Sequence, residues 1–144
     1  MAAMKAGKAL VEVLRNEGVK YVFGIVGSTF LEPLDAFYGR TDITYMSVRH
    51  EQGAAFMADG YARATGLPAV CLVTAGAAGS NLVTGIASAY TGHSPVIAIV
   101  GGPNSAYQYR DAFQELDLVS MFKPITKLSI QVNRPERLPE IMRL

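Results

Sequence analysis

The apolar residues of this chain switch repeatedly between two periods. Leu10, Val11, Val13 and Leu14 recur at helical spacing among Lys5, Lys8, Glu12, Arg15 and Glu17, so the N-terminal segment reads as an amphipathic helix that Gly18 stops. The next apolar stretch, "YVFGIV", is short and continuous, the pattern of a strand buried on both faces. The alternation then repeats. A helix near 30–38 leads to a strand at "ITYMSV", and a longer helix over 51–65 leads to a strand at "AVCLVT". A glycine-rich turn and a helix over 81–91 lead to a strand at "PVIAIVGG". The remainder predicts a helix near 113–121, a strand near 126–132 and a helix that starts after Pro135 and runs to the end of the sequence.

Short apolar strands separated by helices call for a mainly parallel sheet with helices on both faces. The expected fold is α/β and doubly wound, a single domain over residues 1–144. In open parallel sheets, ligands sit beyond the carboxyl ends of strands. Those ends here are "GIVGST", "RHE", "TAGAAGSN" and "GGPNS". The longest irregular stretch, "GGPNSAYQYRDAFQ", starts at the last of them, and long loops in compact domains are often functional.

Charge and composition act by exclusion. Thirteen Lys and Arg against 12 Asp and Glu leave a net charge of +1, scattered along the chain, so nothing points to nucleic acid or to an anionic membrane. No apolar run is long enough for a bilayer span, and the N-terminal segment lacks the apolar block of a secretory signal, so a cytoplasmic protein is expected. The single cysteine, Cys71 in "PAVCLVT", reads as buried and reduced.

Few residues suit metal or nucleophilic chemistry. "HEQGA" begins like a zinc-protease helix, but Ala54 stands where the second histidine belongs and only His93 remains, in what reads as a turn. No metal site is expected. "TAGAAGS" lacks the GxSxG elbow, and no histidine is placed to serve Ser80. The strand–turn–helix pattern of "LVTAGAAGSN" admits two readings. Backbone N–H groups could approach an anion there, or Gly76 and Gly79 could simply permit a tight turn with Asn81 capping the helix. Glu51 is the remaining candidate. It opens a helix whose early residues are Gly53, Ala54, Ala55 and Phe56, so the helix start can lie close to another surface. A carboxyl group shielded from water there would suit proton exchange with a nitrogen base; in the open it would be a first-turn carboxylate favoured by the helix dipole.

Five segments, "FGIVGS", "RHEQGAAFMADGYARATG", "LVTAGAAGSN", "SPVIAIVGG" and "FQELD…PITK", together resemble in order and spacing the N-terminal pyrimidine-binding domain of thiamine diphosphate (ThDP) enzymes of the acetolactate synthase group. The resemblance spans nearly the whole chain. It implies that Glu51 matches the catalytic glutamate, which hydrogen-bonds N1′ of the cofactor's aminopyrimidine and promotes the imino tautomer. That tautomer takes the proton from thiazolium C2, and the resulting ylid attacks a 2-keto acid or related carbonyl. By the same resemblance Thr74, Ala77 and Asn81 line the pyrimidine site, with Val26 and Gly27 from the first-strand turn beside it. Phe113 and Gln114 match a pair that borders the substrate space, as does Ser28. His50 is expected to position the strand end rather than transfer protons.

Several positions depart from the family pattern. Ala77 replaces a proline, and "AG" replaces "GA" after it. Val26 and Ser28 replace the Pro and Gly of a "PGG" turn, which leaves the acyl donor open. Ser28 also lacks the carboxylate found there in pyruvate decarboxylases, and no paired histidines occur, which disfavours that activity. Family members run to about four times this length on the usual domain sizes. Their C-terminal domain carries a GDG motif that holds Mg²⁺ and the diphosphate, and no GDG occurs here. The resemblance therefore implies a domain of a longer enzyme, inactive alone, that needs a diphosphate-binding domain and works as a homodimer or homotetramer. FAD is possible in this group but finds no support in these residues. Two alternatives are a separate small subunit of a two-chain ThDP decarboxylase and a noncatalytic regulatory module on the same fold.

Overall fold

The computed structural model describes residues 4–144. Helix α1 (Ala6–Asn16) matches the first helical pattern, and the part of that expectation on residues 1–3 lies outside the described residues. Strand β1 (Tyr21–Gly24) follows, then a 3₁₀ turn over Ser28–Phe30 that runs into α2 (Leu31–Phe37). The chain continues through β2 (Thr44–Ser47), α3 (Glu51–Thr65) and β3 (Ala69–Val73). A short α4 (Ala77–Ser80), α5 (Val83–Thr91) and β4 (Val96–Val100) complete the sheet region. The four strands are all parallel, in the order β2-β1-β3-β4.

Strand period divides the core in two. Val22, Val70 and Leu72 face α1 and α2, where they meet Leu10, Val11, Leu14, Phe30 and Phe37. Phe23, Cys71 and Val73 face α3 and α5, where they meet Ala54, Ala55, Ala58, Ala62, Leu82 and Ile86. Helices change face because the winding reverses direction at β1, and right-handed crossovers then fall on opposite sides. The fold is the doubly wound α/β architecture expected. Cys71 is fully buried, and burial pushes its thiol up to about 12, so it is no nucleophile at neutral pH.

Alanines make the inner face of α3 flat enough for α5 to approach closely. A Cβ added at Gly85 on α5 would overlap that of Ala55 and press on the backbone of Ala55 and Phe56. Gly85→Val is therefore expected to destabilise the fold by about 3 kcal/mol through overpacking. A lowered midpoint in urea denaturation would show it, and an unchanged midpoint would mean the two helices separate freely.

The C-terminal third departs from the expected pattern. Gln114 adopts φ 62°, which a helix cannot contain, so the helix expected over 113–121 starts only at Leu118. This α6 (Leu118–Phe122) is capped by Asp117, whose side chain accepts from the Ser120 N–H at 3.0 Å. The strand expected over 126–132 is not part of the sheet. The segment alternates correctly but pairs with neither edge strand. Ser129 Oγ instead donates to the Val119 carbonyl at 2.9 Å, and Leu128 and Ile130 stay exposed. A 3₁₀ turn over Pro135–Arg137 then leads into α7 (Leu138–Ile141), which packs on α1. Among the described residues no helix is long and apolar enough to cross a membrane.

Candidate active site

The strand order places a switch point between β1 and β3, where the chain leaves the carboxyl ends of neighbouring strands in opposite directions and a crevice opens. The residues beyond β1 and β3 meet there. Gly27 lies so close to Thr74 that a Cβ on it would overlap the threonine's own. Thr74 Oγ1 lies 2.9 Å from Thr29 Oγ1, and Gly101, just beyond β4, leaves room for Thr29 only because it has no side chain. Thr29 thus ties three strand ends together. Nothing in the sequence marked it, because an isolated threonine after a strand carries no spacing signal.

After Thr74 the backbone passes through Gly76 at φ 64°, ψ −129°, a conformation open to glycine and strained for any other residue. A Cβ there would also lie 2.8 Å from the Gln114 carbonyl, so the turn carries the 109–115 loop directly on its back. Gly79 packs on Leu118 and Val100. The backbone makes the tight turn that Gly76 and Gly79 permit.

Asn81 does not cap the start of the following helix, contrary to the second reading of that turn, since Leu82 holds that position. The helix expected over 81–91 is α5, which starts at Val83 after the short α4, and Asn81 sits between the two with helical backbone, φ −65° and ψ −17°, its N–H bonded to the Ala77 carbonyl. With its backbone so engaged, the side chain is free to reach α3, and Asn81 Nδ2 donates to Glu51 Oε2 at 3.0 Å. Glu51 is the first residue of α3, where the helix dipole favours a negative charge. His50 is the N-cap, its Nδ1 accepting from the Gln52 N–H at 3.2 Å, so its side chain is engaged at the helix start. Glu51 remains half-buried, so this chain alone does not supply the shielding from water that its setting suggested.

The other candidates spread around this pair. Ala77 opens α4 and accepts from Ser80 Oγ and the Asn81 N–H. Val26 and Ser28 are exposed on the link between β1 and α2. Phe113 is 86% exposed, while Gln114 is half-buried against Gly76. His93 occupies a turn at φ 56° and takes no part.

The loop of residues 101–117 is ordered by its own polar groups. Glu115 accepts from the N–H groups of Tyr109 at 2.5 Å and Ala112 at 2.9 Å, and these bonds hold its carboxyl below the usual range. Tyr109, Asp111 and Gln114 all have left-handed backbones, each costing on the order of 1 kcal/mol for a non-glycine residue. Sequence reasoning noted the loop but gave Glu115 no role.

The fold is a doubly wound α/β domain, with a carboxylate–amide pair beyond the carboxyl ends of its parallel strands. Residues 4–121 match the family model described as thiamine pyrophosphate enzyme, N-terminal TPP binding domain, and the chain belongs to that family. It is similar to the probable acetolactate synthase large subunit of Methanocaldococcus jannaschii, with 46% identity over 140 residues that cover 97% of this chain and 24% of that protein. It is 45% identical to the acetolactate synthase of Arthrospira platensis over 137 residues, 93% of this chain and 24% of that protein. Against acetolactate synthase isozyme 2 large subunit of Escherichia coli the figures are 42% over 139 residues, 96% and 25%. The chain thus spans about a quarter of the length of the curated relatives it matches.

Proposed function

We propose that residues 1–144 form the pyrimidine-binding domain of an acetolactate-synthase-like enzyme that decarboxylates a 2-keto acid and joins the remaining carbons to a second carbonyl. The observation that carries the proposal is the Asn81–Glu51 hydrogen bond at the sheet's switch point. It engages one carboxylate oxygen and leaves the other without a partner among the described residues, as an acid facing a ring nitrogen requires.

When bound, thiamine diphosphate supplies a nucleophilic carbon at thiazolium C2 and an electron sink for the carbanion formed after decarboxylation. The protein's own contribution follows from its groups. Glu51 holds and moves a proton at N1′ of the aminopyrimidine. Asn81 fixes the carboxylate plane, and His50 fixes the turn of helix that carries it. Val26, Gly27, Thr74 and Ala77 line the pyrimidine, and Ser28, Phe113 and Gln114 border the substrate.

Diphosphate and Mg²⁺ binding belong in this reading to a second domain, within the three-quarters of the relatives' length that this chain does not span. That domain also covers Glu51. Phe56 and Met57 are exposed on the same helix, with Gly53 and Gly60 open beside them, a flat apolar face on the outward side of the helix that Glu51 opens. We place the diphosphate-binding domain of a second subunit on it, so that the site forms in a dimer. Calorimetric titration of the complete protein with ThDP and Mg²⁺, followed by CO₂ release from pyruvate and related 2-keto acids, tests the assignment. Binding with turnover is expected. Neither heat nor CO₂ with any 2-keto acid would overturn it and favour a regulatory module.

A further inference from the structure

The loop between β4 and α6 spends strain without burying anything. Tyr109, Asp111 and Gln114 are left-handed, a conformation that non-glycine residues keep only where their surroundings over-determine it. Hydrophobic burial does not offset the strain, because Tyr107, Tyr109, Phe113 and Leu116 are all exposed. One side chain does the holding. The Glu115 carboxylate takes both the Tyr109 and the Ala112 N–H, closing the chain on itself over six residues, and its own N–H donates to the Ala112 carbonyl at 2.9 Å.

Both flanks of this closure are anchored. Downstream, Asp117 caps α6. Upstream, Asn104 Oδ1 accepts from the Ala106 N–H at 2.9 Å, and Gln108 Nε2 donates to Gln131 Oε1 at 3.0 Å. Between them the Gln114 backbone rests on Gly76, the turn that follows Thr74. A strained strap is therefore pressed onto one wall of the site, with a large aromatic ring, Phe113, presented outward from it.

We propose that Glu115 is a positioning residue, whose carboxylate clamps the Tyr109–Gln114 strap against the Thr74–Ala77 turn and so holds Phe113 and Gln114 at the substrate side of the site. The inference rests on the proposed function for what the strap faces. The clamp itself rests on the hydrogen bonds alone. Glu115 touches neither cofactor nor reacting atoms, so its loss acts on substrate placement and spares proton transfer at Glu51.

The test uses the polypeptide that carries this chain, with Glu115→Ala and Glu115→Gln. In Glu115→Ala, amide hydrogen exchange at Tyr109 and Ala112 is expected to quicken by about tenfold or more while β1 and β3 keep their protection. Glu115→Gln retains an acceptor oxygen and is expected to restore part of that protection. In the holoenzyme, Glu115→Ala is expected to raise KM for the 2-keto acid about tenfold, with ThDP affinity and C2 proton exchange unchanged. Unaltered exchange at both amides would overturn the clamp. Quickened exchange with unaltered KM and kcat would overturn the positioning role, as would a loss of ThDP binding that accompanied the rise in KM. A wild-type protein that binds no ThDP would instead overturn the proposed function, and amide exchange would still decide whether Glu115 clamps the loop.

Discussion

Glu51→Gln in the complete enzyme is expected to slow deuterium exchange at C2 of bound ThDP by about 10²–10⁴-fold, the usual range for loss of a positioned acid–base group. The substitution separates geometry from proton transfer. Glutamine is nearly isosteric, and its carbonyl oxygen can still accept from Asn81 Nδ2, so the contact between the start of α3 and the α4–α5 junction survives. An amide cannot take up a proton at N1′, so the chemistry is lost while the scaffold stands. Acid-quenched proton NMR of the cofactor reads the rate, and circular dichroism reads the fold. Asn81→Ala should have the smaller effect, roughly tenfold, because it loosens the carboxylate without removing it. Exchange at the wild-type rate in Glu51→Gln would remove Glu51 from the mechanism.

A second large effect, on stability, is expected eight residues further along the same helix. Asp59 is 4% exposed, the one charged residue in the core among those described. It accepts from Arg63 Nε at 2.8 Å and Nη2 at 3.0 Å, from Ser88 Oγ at 3.0 Å and from Ser94 Oγ at 2.5 Å. Through these bonds it joins α3 to the end of α5 and to the entry of β4. Asp59→Ala removes the acceptor for all four and leaves two hydroxyls unpaired. Arg63 is half-exposed, so water takes over its solvation and the full cost of a stranded buried charge does not arise. The expected loss is about 2–3 kcal/mol, or roughly 5–10 °C in Tm for a chain of this size. The Asp59 carboxyl is held below its ordinary value of 3.8, first by Arg63 and then by Ser94 and Ser88, against an opposing push from burial. A depressed folded-state pKa means the contribution is complete above the unfolded value and fades as pH falls through the folded one. The Tm difference between wild type and Asp59→Ala should therefore be constant near neutrality and narrow below pH 3.8. A difference that stayed constant into acid would show that the loss comes from packing and not from the carboxylate.

Much of the candidate site was legible in the sequence, for reasons that can be named. Helix 51–65 was readable because its apolar spacing is local and Gly66 stops it, and the structure places that helix over Glu51–Thr65. The strand ends that carry Gly27 and Thr74 were readable because each follows a continuous apolar run, and strand ends in parallel sheets gather at one edge; the two residues themselves came from the family resemblance. What failed was equally local in cause. The strand over 126–132 has the right alternation but pairs with no strand of the sheet, and a strand needs a partner's hydrogen-bonding groups as well as a pattern. The helix over 113–121 lost its first turn because the Glu115 carboxylate binds backbone N–H groups upstream and the chain turns left-handed at Gln114.

By itself the sequence determined the order of elements, the faces they bury and the carboxylate that opens α3, because these depend on periodicity and on residues adjacent in the chain. Only the tertiary structure decided which polar groups meet. Asn81 with Glu51, Thr29 with Thr74, and Asp59 with Ser88 and Ser94 are each separated by about 30 to 45 residues. Their distances are set by how closely α5 can approach α3 and by which strands lie side by side, and side-chain volume at positions such as Ala55 and Gly85 controls that approach. A hydrogen bond requires two groups within about 3 Å, and no pattern along one chain segment contains that distance.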